Sequence, residues 1–486
     1  MLDIGSYYQR LENVLCLPWN PPQTSSPARE LAKKSMTDIE LPPELTSRIL
    51  GHVGATCTLE DRRDLISCSS VSYAWHELTQ FWLFREVSFT YDTGSQDASM
   101  DIASGEETAE FAAQHRRGVP VVPEKTKNLM SFLTFLRSCP ANANAVHELW
   151  LTADQSPEHG NFTHPSLFMR ILQHLPHLRI LHVTDVLFAG PVEMVFQALA
   201  DTSYRRIAVD QLHYTTTLGM FLSETEFHQL DAVNADRIAW LWGLFQHIHE
   251  LHMHTSTVLT LGPELDFIRP TVERVTVHAA RPYGACHVLR RIELQAVRYL
   301  DLGTFSTSDM AVIGELFSGA TNLEHFSCDI SDIYPLYFGM TSPEARLGLG
   351  MVKSRKLRTF TLSGVALINT GIQVATDILG RVLHGLRTLQ AAAPTADQPA
   401  LSVHIVFCNE LTSSSDDFEQ TAEKARFING SLLYTLEKLL LQSTNPQHGV
   451  APIKLRFSHS LFIKEQCRTI AVNIFPRLQA MNAEFD

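Results

Sequence analysis

A short apolar motif recurs along most of this chain and limits the folds it can adopt. The motif is apolar, two residues of any kind, apolar, one of any kind, apolar. It appears at Val146-Leu149-Leu151, Leu178-Leu181-Val183, Tyr204-Ile207-Val209, Ile248-Leu251-Met253, Val272-Val275-Val277, Val297-Leu300-Leu302, Leu323-Phe326-Cys328 and Leu357-Phe360-Leu362. Successive starts are 24 to 44 residues apart. Side chains alternate along a strand, so the last two apolar positions share one face. Ile453-Leu455-Phe457 is a weaker strand that could close the series, with Val403-Ile405-Phe407 a further candidate. Helical spacing fills several intervals: Leu167, Phe168, Ile171, Leu172 and Leu175; Ile238, Leu241, Leu244, Phe245 and Ile248; Met310, Ile313, Leu316 and Phe317; Val374, Ile378, Val382 and Leu386. Each helix–strand unit carries an apolar face that it cannot bury alone, so neighbours must stack.

This pattern loosely resembles leucine-rich repeats. The polar Asn or Cys expected three residues after the last apolar position is missing; Asp154, Val186, Leu212, Ser256, Ala280, Phe305, Ser331 and Val365 stand there. An Asn ladder would satisfy buried backbone groups at the turn, so these turns need another solution. The expected fold class is α/β with an irregular solenoid over residues 128–486. A layered α/β domain with the same strand patterns is the alternative. In a solenoid, the residue between the second and third apolar positions faces outward and forms an extended binding row. Those positions are Trp150, His182, Ala208, His252, Thr276, Asp301, Ser327 and Thr361, and an exposed strand tryptophan makes Trp150 the leading contact anchor.

The front of the chain has a different design. Pro42 and Pro43 open a helix, where a missing N–H costs nothing. Leu45, Ile49, Leu50 and Val53 follow on one stripe, and Gly54 ends it. A second helix is expected over Leu59–Ser69, and a third carries Val71, Trp75, Leu78 and Trp82. The 49 residues from Leu41 to Phe89 cannot enclose this many large apolar groups alone. Leu41-Pro42-Pro43-Glu44-Leu45, Ile49-Leu50, Leu65-Ile66-x-Cys68, Val71 with Trp75, and Phe81-Trp82-Leu83-Phe84 together resemble the F-box. The Gly54–Glu60 connection is longer and more polar than in the tightest examples.

The resemblance implies a non-catalytic adaptor that docks a Skp-type subunit of a cullin ubiquitin ligase and holds an unknown protein substrate. It points to Leu41, Pro42, Leu45, Ile49, Leu50, Val71 and Trp75 for docking. The binding row then offers Trp150, His182, His252, Thr276, Asp301, Ser327 and Thr361 to the substrate. The expected division is an arm over 1–37, the F-box-like helices over 38–90, an acidic loop or linker over 91–127, and the solenoid over 128–486. Rival functions are a protein-interaction scaffold outside any ligase and an α/β enzyme.

The remaining features mainly narrow the choice. A net charge of −13, without a basic run, argues against nucleic acid as partner. No stretch of eighteen apolar residues predicts a membrane span, and the start of the chain lacks a signal-peptide pattern, which points to the cytoplasm or nucleus. The eight cysteines lack C-x-x-C spacing, and neither a metal nor a cofactor is expected. In the run from His247 to His254, His252 and His254 share a strand face, but two ligands do not close a zinc site. No G-x-S-x-G, H-E-x-x-H or P-loop sequence is present.

Overall fold

The computed structural model describes residues 43–53, 59–69, 73–92, 129–154, 163, 165–186, 205–216, 241–255, 269–279, 289, 291–304, 310–331, 353–366, 371–392, 401–408, 418–444, 453–459, 464–477 and 484–485. They fall into two compact units, one within 1–161 and 166–181, the other within 162–165 and 182–486. Both mix helices with parallel strands.

The first unit begins with α1 (Pro43–Val53), α2 (Leu59–Ser69) and α3 (Tyr73–Phe84). Among the described residues of these three helices, Leu50, Leu65, Leu83 and Phe84 are the buried apolar ones. Gly51 brings α1 against α3: a Cβ there would lie 3.1 Å from the Trp82 ring. The chain then enters β1 (Glu86–Asp92), followed by α4 (Leu129–Ser138), α5 (Pro140–Ala145) and β2 (Glu148–Asp154), which pairs with β1 in parallel. Leu129, Phe132, Leu133 and Leu136 line the buried stripe of α4, and Phe132 stacks on Phe89 at 4.7 Å. Next come α6 (Pro165–Gln173) and β3 (Ile180–Thr184), whose residues from His182 onward belong to the second unit. Beyond Asp92, the expected acidic loop lies outside the described residues, as does the arm over 1–37.

The second unit contains β4 (Ile207–Thr216), β5 (Phe245–Thr255), β6 (Thr271–Ala279) and β7 (Tyr299–Thr304). It continues with α7 (Met310–Gly319), β8 (His325–Asp329), β9 (Thr359–Ala366), α8 (Gly371–Ala392) and β10 (Leu401–Cys408). It closes with α9 (Phe418–Thr444), β11 (Ile453–His459), α10 (Lys464–Ile474) and β12 (Glu484–Phe485). From β4 to β12, strands pair in chain order and always in parallel.

All three apolar positions are buried in seven of the eight motifs. The exception is the third. Ile207 is half-buried, and the inward set is Val209, Leu212 and Tyr214. The motif there starts five residues later than its spacing suggested, and its outward midpoint is His213 rather than Ala208. Helical spacing also misassigned Phe245 and Ile248, which belong to β5; among the described residues ahead of them, 241–243 are helical. Short apolar runs fit both periods, so spacing alone could not separate them.

In four of the motifs the two free residues tie the strand's start to its neighbour. Their two N–H groups converge on one carbonyl just ahead of the preceding strand. Arg85 O accepts from His147 N and Glu148 N, His147 O from Arg179 N and Ile180 N. Arg298 O accepts from Glu324 N and His325 N, and Glu324 O from Arg358 N and Thr359 N, at 2.7 to 3.1 Å. After β8 the turn uses side chains: Asp329 Oδ1 accepts from Ser331 N at 2.8 Å, and Ser363 Oγ on β9 donates to Cys328 O at 3.1 Å. Gly364, at φ 69°, sits where a Cβ would collide with that Asp329 carboxylate.

Candidate functional site

On α1, Leu45 and Ile49 are one turn apart and remain 47% and 39% exposed. An i, i+4 apolar pair open to solvent is the part of the helix its own core does not use. Phe81 on α3 is also exposed and meets the His147 ring edge-on at 5.4 Å. Leu50 is different. It is completely buried, so it serves the helical core and is no surface for docking. The stripe recognised in the sequence contains both kinds of residue because one helical face was assigned a single role. Trp75 is half-buried, while Leu41, Pro42 and Val71 lie outside the residues whose side chains are described.

Of the expected substrate positions, Trp150 lies on β2, 37% exposed, and donates from Nε1 to Glu148 Oε1 at 2.9 Å. In the second unit, strand register aligns His213, His252, Thr276, Asp301, Ser327, Thr361, His404 and Arg456 in one row. His182 joins it by stacking on His213 at 4.3 Å, and His213 stacks on His252 at 4.5 Å. Thus the three imidazoles form a nearly parallel stack, with interplanar angles of 12° and 6°. A second pair, His254 and His278, stacks beside it at 5.1 Å.

Burial pushes His213 down to about 4, helped by the neighbouring His182, His252 and His254 and opposed by Glu250. Burial, then His278 and His252, also lowers His254. Two charged imidazolium rings would repel at these separations, so the neutral forms can stack face to face.

The adjacent row is held by charge. Gln211 Nε2 donates to Glu250 Oε2 at 3.0 Å, Arg274 Nε approaches Glu250 Oε1 at 3.3 Å, and the Arg274 guanidinium lies 4.7 Å over the Tyr299 ring. Further along, a depression of about 320 Å³ is lined by His278, Asp301, Gly303, Thr304, Ser327, Asp329 and Ser363. This outward surface is polar and offers many donors and acceptors in a regular array.

The histidine run also behaves differently from its sequence pattern. His252 and His254 do share a side, but they join different ring stacks. The residues that converge are His247 and His249 with Glu273 from β6, whose ligand-type atoms all lie within 4.8 Å of one another. A third group was invisible because strand pairing, not sequence proximity, supplies it.

Residues 39–90 match a family model described as F-box-like. The chain therefore carries an F-box-like domain. Domains of this class act in protein–protein interaction, commonly within cullin ubiquitin ligases, where they typically bind Skp-type adaptors and are non-catalytic. No curated protein matches the chain.

Proposed function

We propose that this chain is the substrate-recognition adaptor of a Skp–cullin–F-box ubiquitin ligase in the cytoplasm or nucleus. The observation that carries the proposal is an F-box-like match over 39–90 whose first helix leaves Leu45 and Ile49 exposed. Those two side chains dock the Skp-type adaptor. Burying each would contribute about 1.5–3 kcal/mol. In this reading, the parallel strand array is a degenerate leucine-rich-repeat solenoid, and its outward rows hold a protein substrate.

The chain itself performs no covalent chemistry. It acts by proximity, raising the effective concentration of substrate lysines beside a charged ubiquitin-conjugating enzyme. The row from His182 to Arg456 suits a polar, extended partner segment because it supplies hydrogen-bonding groups at each strand. Affinity purification of the tagged chain from cells tests the proposal. A Skp-type adaptor and a cullin should co-purify, and their absence would contradict it.

A further inference from the structure

We propose that His247, His249 and Glu273 form a binding site for a zinc-class divalent cation. The residues come from two adjacent strands whose register pairs His247 with Thr271. His249 and Glu273 occupy the same place in successive motifs, the first free position after the leading apolar residues Ile248 and Val272. That column elsewhere holds an ion pair, with Arg358 Nε 4.0 Å from Glu324 Oε2. At β5 and β6 the carboxylate in the column faces two imidazoles. Glu273 Oε2 lies 3.4 Å from His249 Nδ1, and Glu273 Oε1 lies 4.0 Å from His247 Nε2.

Hydrogen bonding selects the nitrogen that can bind metal. Thr271 Oγ1 donates to Gln246 O at 3.2 Å, so its proton is already used. The same oxygen lies 2.8 Å from His247 Nδ1 and, while donating to that carbonyl, can accept from Nδ1–H. In that tautomer His247 keeps its proton on Nδ1 and leaves Nε2 on the side of Glu273. A metal-ligating histidine usually donates its other ring N–H to an acceptor that fixes tautomer and ring direction, and the Thr271 hydroxyl stands in that place. A bare nitrogen lone pair and a carboxylate facing each other repel until a cation or a proton lies between them.

The spacing is close to what a metal requires. Zinc bonds of about 2.0–2.1 Å in a tetrahedron place ligand atoms roughly 3.3 Å apart. The carboxylate reaches one imidazole at 3.4 Å through Oε2 and the other at 4.0 Å through Oε1, all three ligand atoms lie within 4.8 Å of one another, and all three groups are partly exposed, so side-chain rotations would close the set. Three protein ligands leave a fourth position open to water or to a donor from a bound protein. The mixed nitrogen and oxygen set favours zinc-class ions over calcium or magnesium, which take oxygen ligands.

The test uses the full-length chain stripped with a chelator and titrated with Co2+, then with Zn2+. One equivalent of Co2+ should give the visible spectrum of a four-coordinate ion, and Zn2+ should abolish it. His249→Ala and the isosteric Glu273→Gln should each weaken binding by at least about tenfold. Thr271→Val should weaken it by about 10- to 100-fold without changing the stoichiometry. His252→Ala should leave binding unchanged. No four-coordinate spectrum in the unaltered chain would overturn the proposal, as would equal binding by Glu273→Gln. A larger effect from His252→Ala than from His249→Ala would also overturn it and place the ion on the neighbouring stack.

Discussion

Gly51 sits where α1 meets the Trp82 ring, with Cζ2 and Cη2 only 3.1 and 3.2 Å from where a Cβ would be. On an exposed helix, replacing glycine with alanine stabilises by about 1 kcal/mol. Here the added methyl must push the ring aside, and the sign should reverse. Gly51→Ala is expected to lower stability by about 1–3 kcal/mol, measured by urea unfolding followed through tryptophan fluorescence. A gain in stability would show that the contact is absent. His213 makes a second prediction at this scale. Its folded pKa, near 4, lies below the ordinary histidine value of 6.5. The unfolded chain therefore binds more protons between those values, and stability falls as pH drops from about 6.5 towards 4. The groups facing His213 are His182 on β3 and Glu250, His252 and His254 on β5. His213→Asn should flatten this part of the stability–pH curve; an unchanged slope would assign the acid sensitivity elsewhere.

Phe326 on β8 shows how neighbouring elements are joined. Its ring lies 4.7 Å from Phe317 on α7 and 5.4 Å from Phe360 on β9. All three are fully buried. Phe326→Ala should cost about 3–5 kcal/mol, the range for removing a large ring from a packed core. Hydrogen exchange should rise in β7 through β9, the strands paired with β8 on either side; uniform loosening of the whole chain would argue against such local stacking. The burial of these residues was legible in the sequence because Leu323-Phe326-Cys328 and Leu357-Phe360-Leu362 repeat one spacing. The third motif was not, because Tyr204-Ile207-Val209 satisfies the same spacing as the buried Val209, Leu212 and Tyr214. That five-residue offset concealed His213, and with it the continuity of the imidazole stack. Likewise, an apolar stripe revealed α1 but could not divide buried Leu50 from exposed Ile49. That division depends on where α2 and α3 pack. Glu273 was hidden for a similar reason, since only strand register brings it beside His247 and His249.

Across the whole chain, the proposed docking surface and the histidine-bearing rows belong to separate compact units. If one captures the ligase and the other the substrate, damage to the first should leave the second folded. Leu45 and Ile49 are suited to that separation because both are exposed on α1 while Leu50 beside them is fully buried. Calorimetry of the purified full-length chain with a purified Skp-type adaptor tests the central claim most directly. Leu45→Asp combined with Ile49→Asp should weaken binding by about a hundredfold or more, from roughly 1.5–3 kcal/mol per lost side chain, with an unchanged circular dichroism spectrum. Equal affinity in the double variant, or no binding by the unaltered chain, would contradict docking through α1.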